Sequence, residues 1–289
     1  MLFDKGMLNP WQPRANALIG TGVIGGLHPG RIPGLYSTAA VGPEAAYVAA
    51  LIAAGATVTA PKQAAISSFM SAEIAAGRWD GIKRLYFPVW GLAAANAICM
   101  KSLATGTWTG GAVTHAAGYV QSSFSGGYMD TNTTFGSIGI TKDSYHFAVV
   151  YKTSPFGGDN YNDRSFGVTN TYTSFNDGEP EIVLANTYLS VLVNTPYSIL
   201  SIFGNSSSGT AKNRISISAV QERGTSGALG VGGFTDQNVW FLKSNGYSPA
   251  SSAQTAAFSM GLNMSEANDL AYTLALKTLW ETVTGLTLP

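Results

Sequence analysis

The side chains with chemical potential in this chain fall in a few short stretches. Gly157-Gly158-Asp159-Asn160-Tyr161-Asn162-Asp163 gathers carboxylates, amides and a phenol into one loop-like segment. Closely spaced oxygen donors suit Ca²⁺, and the same groups beside an aromatic ring suit a sugar. The segment lacks the spacing and the bidentate Glu of an EF-hand, and a solvated turn has the same composition. Asp159, Asn160, Tyr161, Asn162 and Asp163 therefore form the candidate glycan- or calcium-binding loop, with no metal or cofactor assigned.

Asp177, Glu179 and Glu181 are the acidic residues whose spacing comes nearest to a glycosidase pair, since alternate residues of a strand share a face. Pro180 interrupts them and Asn176-Asp177-Gly178 reads as a turn, so no catalytic residue is expected there. Gly20-Thr21-Gly22-Val23-Ile24-Gly25 satisfies G-x-G-x-x-G, with Glu44 about twenty residues on. The helix that should follow and hold a pyrophosphate is blocked by Pro29, Gly30, Pro33 and Gly34. His28, His115 and His146 have no metal-ligand spacing, and His146 reads as a structural, hydrogen-bonded residue. Cys99 stands alone, which excludes an intrachain disulfide and a cysteine zinc site and suits a small buried hydrophobe.

Composition bounds what these groups can serve. Charged residues make up 11% of 289, and 16 basic residues balance 16 acidic ones. Neither nucleic acid nor an anionic membrane surface finds an electrostatic footprint here. A weakly charged, neutral surface has little colloidal repulsion, which suits a subunit of an assembly. The start, Met1-Leu2-Phe3-Asp4-Lys5-Gly6, lacks the basic-then-apolar order of a secretory signal, and the apolar run 85–100 is broken by Pro88, Gly91 and Asn96. The expectation is synthesis in the cytosol and no membrane insertion.

Three kinds of segment must position the candidate residues. Residues 1–42, dense in Pro and Gly, read as an extended assembly arm. Its Leu2, Phe3, Trp11, Leu18, Ile19, Ile24 and Leu27 are too apolar for a solvated linker. At about 3.3 Å per residue the arm reaches on the order of 100 Å or more. Residues 43–84 read as a helical hairpin. Its first helix opens at Pro43-Glu44, presents Tyr47, Leu51 and Ala54, and ends at Gly55. Its second is capped by Thr59, carries Ile66, Phe69, Met70 and Ile74 as its stripe, and ends at Gly77. Residues 85–289 read as a β-sandwich, with strands near 97–103, 119–124, 145–152, 164–168, 188–193, 197–203, 214–220, 239–243 and 256–260. In the third of these Phe147, Val149 and Tyr151 share one face, and His146, Ala148 and Val150 the other. A helix over 265–284 closes the chain, with Ser265 as cap, Glu266 and Asp269 at its positive end, and Gly285 as stop. The fold class is mainly β: a jelly-roll or concanavalin A-like sandwich with an N-terminal arm, a helical hairpin and a C-terminal helix.

One order of segments carries a resemblance. Trp79-Asp80-Gly81-Ile82-Lys83-Arg84-Leu85-Tyr86-Phe87-Pro88-Val89-Trp90-Gly91 precedes the sandwich, and Ala257-Phe258-Ser259-Met260-Gly261-Leu262-Asn263-Met264-Ser265-Glu266-Ala267 leads into the closing helix. Asp143-Ser144-Tyr145-His146 and Val239-Trp240-Phe241-Leu242-Lys243-Ser244-Asn245-Gly246 add to it. Over roughly residues 44–289 this order resembles virion proteins of tailed bacteriophages that carry a concanavalin A-like lectin sandwich. Legume-type lectins hold calcium with carboxylates and Asn near an aromatic, to which the 159–163 loop is similar.

The resemblance implies a non-enzymatic structural protein, a tail appendage or capsid decoration, attached through its arm and displaying an outward lectin-like sandwich. Its partners would be further copies of itself, a trimer among the forms considered, and other virion proteins. Its location would be the virion, assembled in the host cytoplasm. Two alternatives stand beside it: an adhesin recognising a host-surface glycan, and a depolymerase of surface polysaccharide.

Overall fold

The computed structural model describes residues 42–123, 126–153, 163–168, 171–176, 179–184, 187–190, 199–205, 210–216, 220–226, 234–243 and 253–288. The arm residues Leu2, Phe3, Trp11, Leu18, Ile19, Ile24 and Leu27, the Gly20–Gly25 motif and His28 lie outside them, as do Asp159, Asn160, Tyr161, Asn162 and Asp177.

The described residues begin with α1 (Pro43–Ala53) and α2 (Ala60–Ala75), each with proline in its first turn, where the missing N–H costs nothing. Tyr47 and Leu51 of α1 and Ile66, Phe69 and Met70 of α2 are buried as the 3.6-residue spacing requires. Two details differ from expectation. Thr59 occupies the cap position of α2, but its side chain makes no capping bond. Ile74 is 46% exposed, because Glu73 takes the inward place beside it. That carboxylate is fully buried and held in a fork by Arg78, Nε at 2.7 Å and Nη2 at 2.8 Å. The hydrogen bond to Glu73 raises the guanidinium pKa, and the Glu73 carbonyl also accepts from the backbone N–H of Arg78 and Trp79.

Beyond the hairpin come β1 (Ile82–Tyr86), the short α3 (Ala93–Asn96), β2 (Thr107–Thr109), β3 (Val113–Ala116), β4 (Tyr119–Ser122), β5 (Tyr128–Thr134) and β6 (Tyr145–Tyr151). They are followed by β7 (Asp163–Val168), β8 (Thr171–Asn176), β9 (Glu179–Leu184), β10 (Thr187–Ser190), β11 (Ile199–Asn205), β12 (Thr210–Ser216), β13 (Val220–Ser226), β14 (Asn238–Phe241), β15 (Thr255–Gly261) and finally α4 (Glu266–Thr284). Among the described residues the strands build two antiparallel sheets, as the sandwich reading requires. The first runs β13-β12-β11-β6-β15-β4-β3, with β1 also paired to β15; the second runs β10-β9-β8-β7-β14-β5-β2. The chain shuttles between them, so neighbours in a sheet are often distant in sequence.

Some expected strands change form. Residues 97–103 make isolated bridges, Tyr86 with Cys99 and Ile98 with Thr105, around a turn at Leu103, where φ is +59°. The expected 214–220 strand is divided, because β12 ends at Ser216 and β13 begins at Val220. The strands β1, β2, β3, β5, β8, β9 and β13 have few large apolar residues on one clean alternation and escape a sequence reading.

Two apolar layers follow. Between the sheets lie Tyr86, Met129, Phe135, Phe147, Val149, Tyr151, Phe241 and Phe258. On the far side of the first sheet, Ala148, Val150 and Ile199 pack with Leu51, Ile66, Phe69, Leu276 and Trp280 of the helices. β6 and β15 are consequently buried at every position. Cys99 is part of the inner layer, as a buried hydrophobe. Ser265 caps α4 by accepting from the Asn268 N–H at 3.2 Å, and Gly285 ends it at φ +72°.

His146 lies on the helix side of β6, as its alternation predicts, and is fully buried. Its Nε2 stands 3.2 Å from Asp269 Oδ1, outside hydrogen-bond alignment. Its ring meets Tyr272 edge to face at 5.3 Å. Ser201 donates to Asp269 Oδ2 at 2.9 Å, and Tyr272 donates to Ser259 Oγ at 2.7 Å. Asp269, in the first turn of α4, thereby ties the helix to β6 and β11. Burial raises the Tyr272 pKa, so its hydroxyl stays a donor.

The Glu73–Arg78 pair yields a stability prediction. Removing one partner of a buried pair costs about 3–5 kcal/mol, whereas replacing both with apolar groups of similar volume is often near neutral. Arg78→Ala should lower the unfolding free energy in urea by about that amount, and Glu73→Met with Arg78→Met should recover most of it. A loss under about 1 kcal/mol in Arg78→Ala would show that water, not Arg78, satisfies Glu73.

Candidate ligand-binding face

The helices cover the first sheet at β6, β11 and β15, whereas the outer face of the second carries exposed side chains on β2 and β5. Strand alternation fills it. In β5, Met129, Thr131 and Thr133 are buried, while Tyr128 and Asp130 are half-buried and Asn132 is exposed. In β14, Val239 and Phe241 are buried, with Asn238 and Trp240 facing outward. Thr107 and Thr109 of β2 are exposed beside them. Register places Gly167, Trp240, Asp130 and Thr107 in one row across four strands.

The centre of this face is aromatic. Tyr128 and Trp240 stack at 3.9 Å between ring centroids, with 21° between planes. The Lys243 ammonium stands over both rings, 5.5 Å from Tyr128 and 5.9 Å from Trp240, within cation–π range. Leu242 explains how Lys243 comes to lie there. Its φ of +68° breaks the strand alternation, so Phe241 and Leu242 both bury, and Lys243 returns to the outer side.

Polar groups flank the rings in fixed orientations. Asp130 Oδ1 accepts from the Asn132 N–H at 2.7 Å, and Oδ2 accepts from Asn238 Nδ2 at 3.2 Å. Asn132 has φ +52° and donates from Nδ2 to the Thr105 carbonyl at 3.2 Å and to Thr107 Oγ1 at 3.0 Å. Burial, then the Asp130 charge, raises the Tyr128 pKa, which keeps its phenol a donor. Gly167, opposite Trp240, has φ +139° and no side chain to crowd the indole. Left-handed Asn132 and Leu242 thus bracket the aromatic pair, and such backbone strain concentrates at functional sites. The arrangement offers an apolar ledge with a carboxylate, amides, hydroxyls and an ammonium at its margins.

Below its edge is a second cluster. Trp108 of β2 meets His115 of β3 edge to face at 4.6 Å and donates from Nε1 to the Ala93 carbonyl at 2.8 Å. The Asn96 amide is oriented by its oxygen, which accepts from the Trp90 N–H at 2.9 Å. Its Nδ2 therefore donates to His115 Nδ1 at 3.1 Å, which requires the neutral ring with its proton on Nε2.

Of the residues singled out from sequence, Asp163 opens β7, its backbone paired with Phe175. Glu179 and Glu181 pair with Asn176 and Ser174 in the β8–β9 ladder. His115 and His146 are on different sheet strands with different partners. Among the described residues no group of three or more His, Cys, Asp or Glu is placed to hold a metal ion, and no helix is long and apolar enough to cross a membrane. The outer face itself was not singled out. Its signal was present in the alternation of Tyr128, Asp130 and Asn132 with Met129, Thr131 and Thr133.

No protein-family model matches the chain, and no curated protein matches it in sequence. Several solved structures align with part of it. A Trypanosoma rangeli sialidase in complex with 2,3-difluorosialic acid aligns at 7% identity and TM-score 0.44, over 68% of this chain and 33% of the sialidase. The chain thus spans about a third of that protein. Domain 4 of AbnA, a GH43 extracellular arabinanase from Geobacillus stearothermophilus solved with arabinotriose, aligns at 11% identity and TM-score 0.42, over 66% of this chain and 98% of the domain. A conserved carbohydrate esterase from the Shiga toxin-encoding bacteriophage phi24B aligns at 10% identity and TM-score 0.36, over 64% of this chain and 100% of the esterase. Similarity at this level identifies neither a family nor a function for the chain.

The His115 geometry predicts a pH response. Burial lowers its pKa, so the neutral ring contributes stability that is present above the unfolded value of about 6.5 and lost as pH falls through the folded value. Tryptophan emission should therefore shift with a midpoint below about 6.5. The transition should vanish in His115→Gln and in Trp108→Phe. A transition that persists in both variants would assign the change elsewhere.

Proposed function

We propose that this chain is a carbohydrate-binding β-sandwich, and that it binds through the outer face of its second sheet. The observation that supports this is the outward Tyr128–Trp240 stack bordered by Asp130, Asn238 and Lys243. A sugar ring is itself amphipathic: its C–H faces stack on aromatic rings, while its hydroxyls need donors and acceptors at the rim. The face supplies both kinds of contact within a few ångströms.

The reading is non-enzymatic. Both Asp130 oxygens already accept hydrogen bonds, one from backbone and one from an amide, which suits a fixed acceptor better than a group that gives and takes a proton. In the finer form of the proposal, the protein belongs to the particle of a tailed bacteriophage, where the sandwich holds host-surface glycan and residues 1–42 attach it to neighbouring subunits. The ordered motifs 79–91 and 257–267 support that placement, and so does the near-neutral, weakly charged composition.

Affinity electrophoresis of the full chain through capsule or lipopolysaccharide preparations tests the proposal. Retardation is expected for the parent protein. Trp240→Ala and Tyr128→Ala should each weaken binding about tenfold, equivalent to about 1.4 kcal/mol. Ile52→Ala, exposed on α1, should leave retardation unchanged. Absence of retardation by every polysaccharide, or retention of it in both aromatic variants, would refute the site. Reducing ends accumulating with the parent protein would refute the non-enzymatic reading.

A further inference from the structure

Between α2 and α4 the helical layer leaves an open groove of about 680 Å³. Its walls are small residues at helical spacing, Ala64, Ser68 and Ala72 on α2 facing Ala275, Thr278 and Thr282 on α4. Its floor is Phe69 and Leu279, which are 5% and 3% exposed and belong to the apolar layer below. None of the residues lining it carries a charge. Helices normally meet by interdigitating side chains, and alanines in facing positions leave that space unfilled. A volume of this size lies within the range of about 300–1,000 Å³ typical of specific binding clefts.

The chain carries a segment of matching chemistry. Residues 1–41 lie outside the described residues and join the fold at Gly42, at the head of α1, which packs on α2. From Ala15 to Leu27 this segment has no charged residue, and it alternates Gly and Ala with Leu18, Ile19, Val23, Ile24 and Leu27. Apolar side chains in that number cannot stay solvated without an aggregation liability. With 16 basic and 16 acidic residues, copies of the chain have no net repulsion to keep them apart.

We propose that the α2–α4 groove is the receptor for the N-terminal arm of a second copy of this chain, the uncharged stretch 15–27 supplying the apolar side chains that fill it. The arm then links copies in series. A heterologous contact of this kind makes a ring where the rotation closes and a filament where it does not. The groove needs no polar specificity beyond the Ser68, Thr278 and Thr282 hydroxyls, because a glycine-rich segment brings its own backbone donors and acceptors to them.

Cross-linking in the full chain tests this directly. A photoreactive amino acid replaces Ser68, on the exposed groove wall, and isotopically light and heavy preparations are mixed before irradiation. The expected product joins the α2 peptide of one isotope to a peptide from residues 1–41 of the other. Ser68→Trp, which fills the groove, should abolish that product and shift the light-scattering mass toward the monomer. Cross-links confined to one isotope, cross-links from α2 to α2 or α4 of another copy, or none at all would each overturn the proposal. So would an unchanged mass in Ser68→Trp.

Discussion

Burial of β6 and β15 on both faces is the constraint on which the rest depends. β6 and β15 pair along most of their length, and neither exposes a residue. An antiparallel sheet normally solvates one face, so a doubly covered one needs a second apolar layer. Here α1, α2 and α4 provide it. The polar groups trapped under that layer then need partners, and Asp269, Ser201, Ser259 and Tyr272 supply them to each other around His146. Helix α4 is thus fixed by hydrogen bonds as well as by Leu276, Trp280 and Val283. The Trp280 Nε1 donates to the Gly118 carbonyl at 2.8 Å and anchors the far end.

The same constraint decides where function can sit. With one face of β6 and β15 turned to the other sheet and one to the helices, these strands present nothing to solvent, whereas β2 and β5 of the second sheet do. The residues there are an aromatic pair, a carboxylate held by two hydrogen bonds and a cation above the rings. Strand β5 shows how such a surface can be built with little apolar content. Its inward positions include Thr131 and Thr133, which are buried because their hydroxyls are satisfied within the sheet, Thr131 donating to the Val239 carbonyl at 2.8 Å and Thr133 to the Thr131 carbonyl at 3.1 Å.

That economy is also why the site was hard to read from sequence. Periodicity finds elements where one face is apolar, and it located α4, its Ser265 cap, its Gly285 stop and the two faces of β6 correctly. It passed over β5, where threonine replaces valine on the inner face and the hydroxyls look like a loop. It placed a strand at 97–103, where apolar side chains are buried by a turn and isolated bridges instead. Aromatic content was visible, but stacking of Tyr128 on Trp240 depends on a pairing across more than a hundred residues of chain, which local pattern does not encode. The candidate loop at 159–163 lies outside the described residues except for Asp163, and the polar groups beside the aromatic pair come from three separate strands, β2, β5 and β14.

Two surfaces of opposite chemistry therefore occupy opposite sides of the sandwich. The groove of small residues sits in the helical layer and is apolar; the aromatic face lies across both sheets from it and is rimmed by polar groups. An assembly that joins copies through the helical side leaves the other side free, with the fully buried strands β6 and β15 lying between the two. Ligand binding and self-association would then be separable by mutation, since no residue of one surface touches a residue of the other through fewer than two packed layers. If copies assemble in this way and the aromatic face takes sugar, repeated faces would turn a weak contact into a strong one through effective concentration alone.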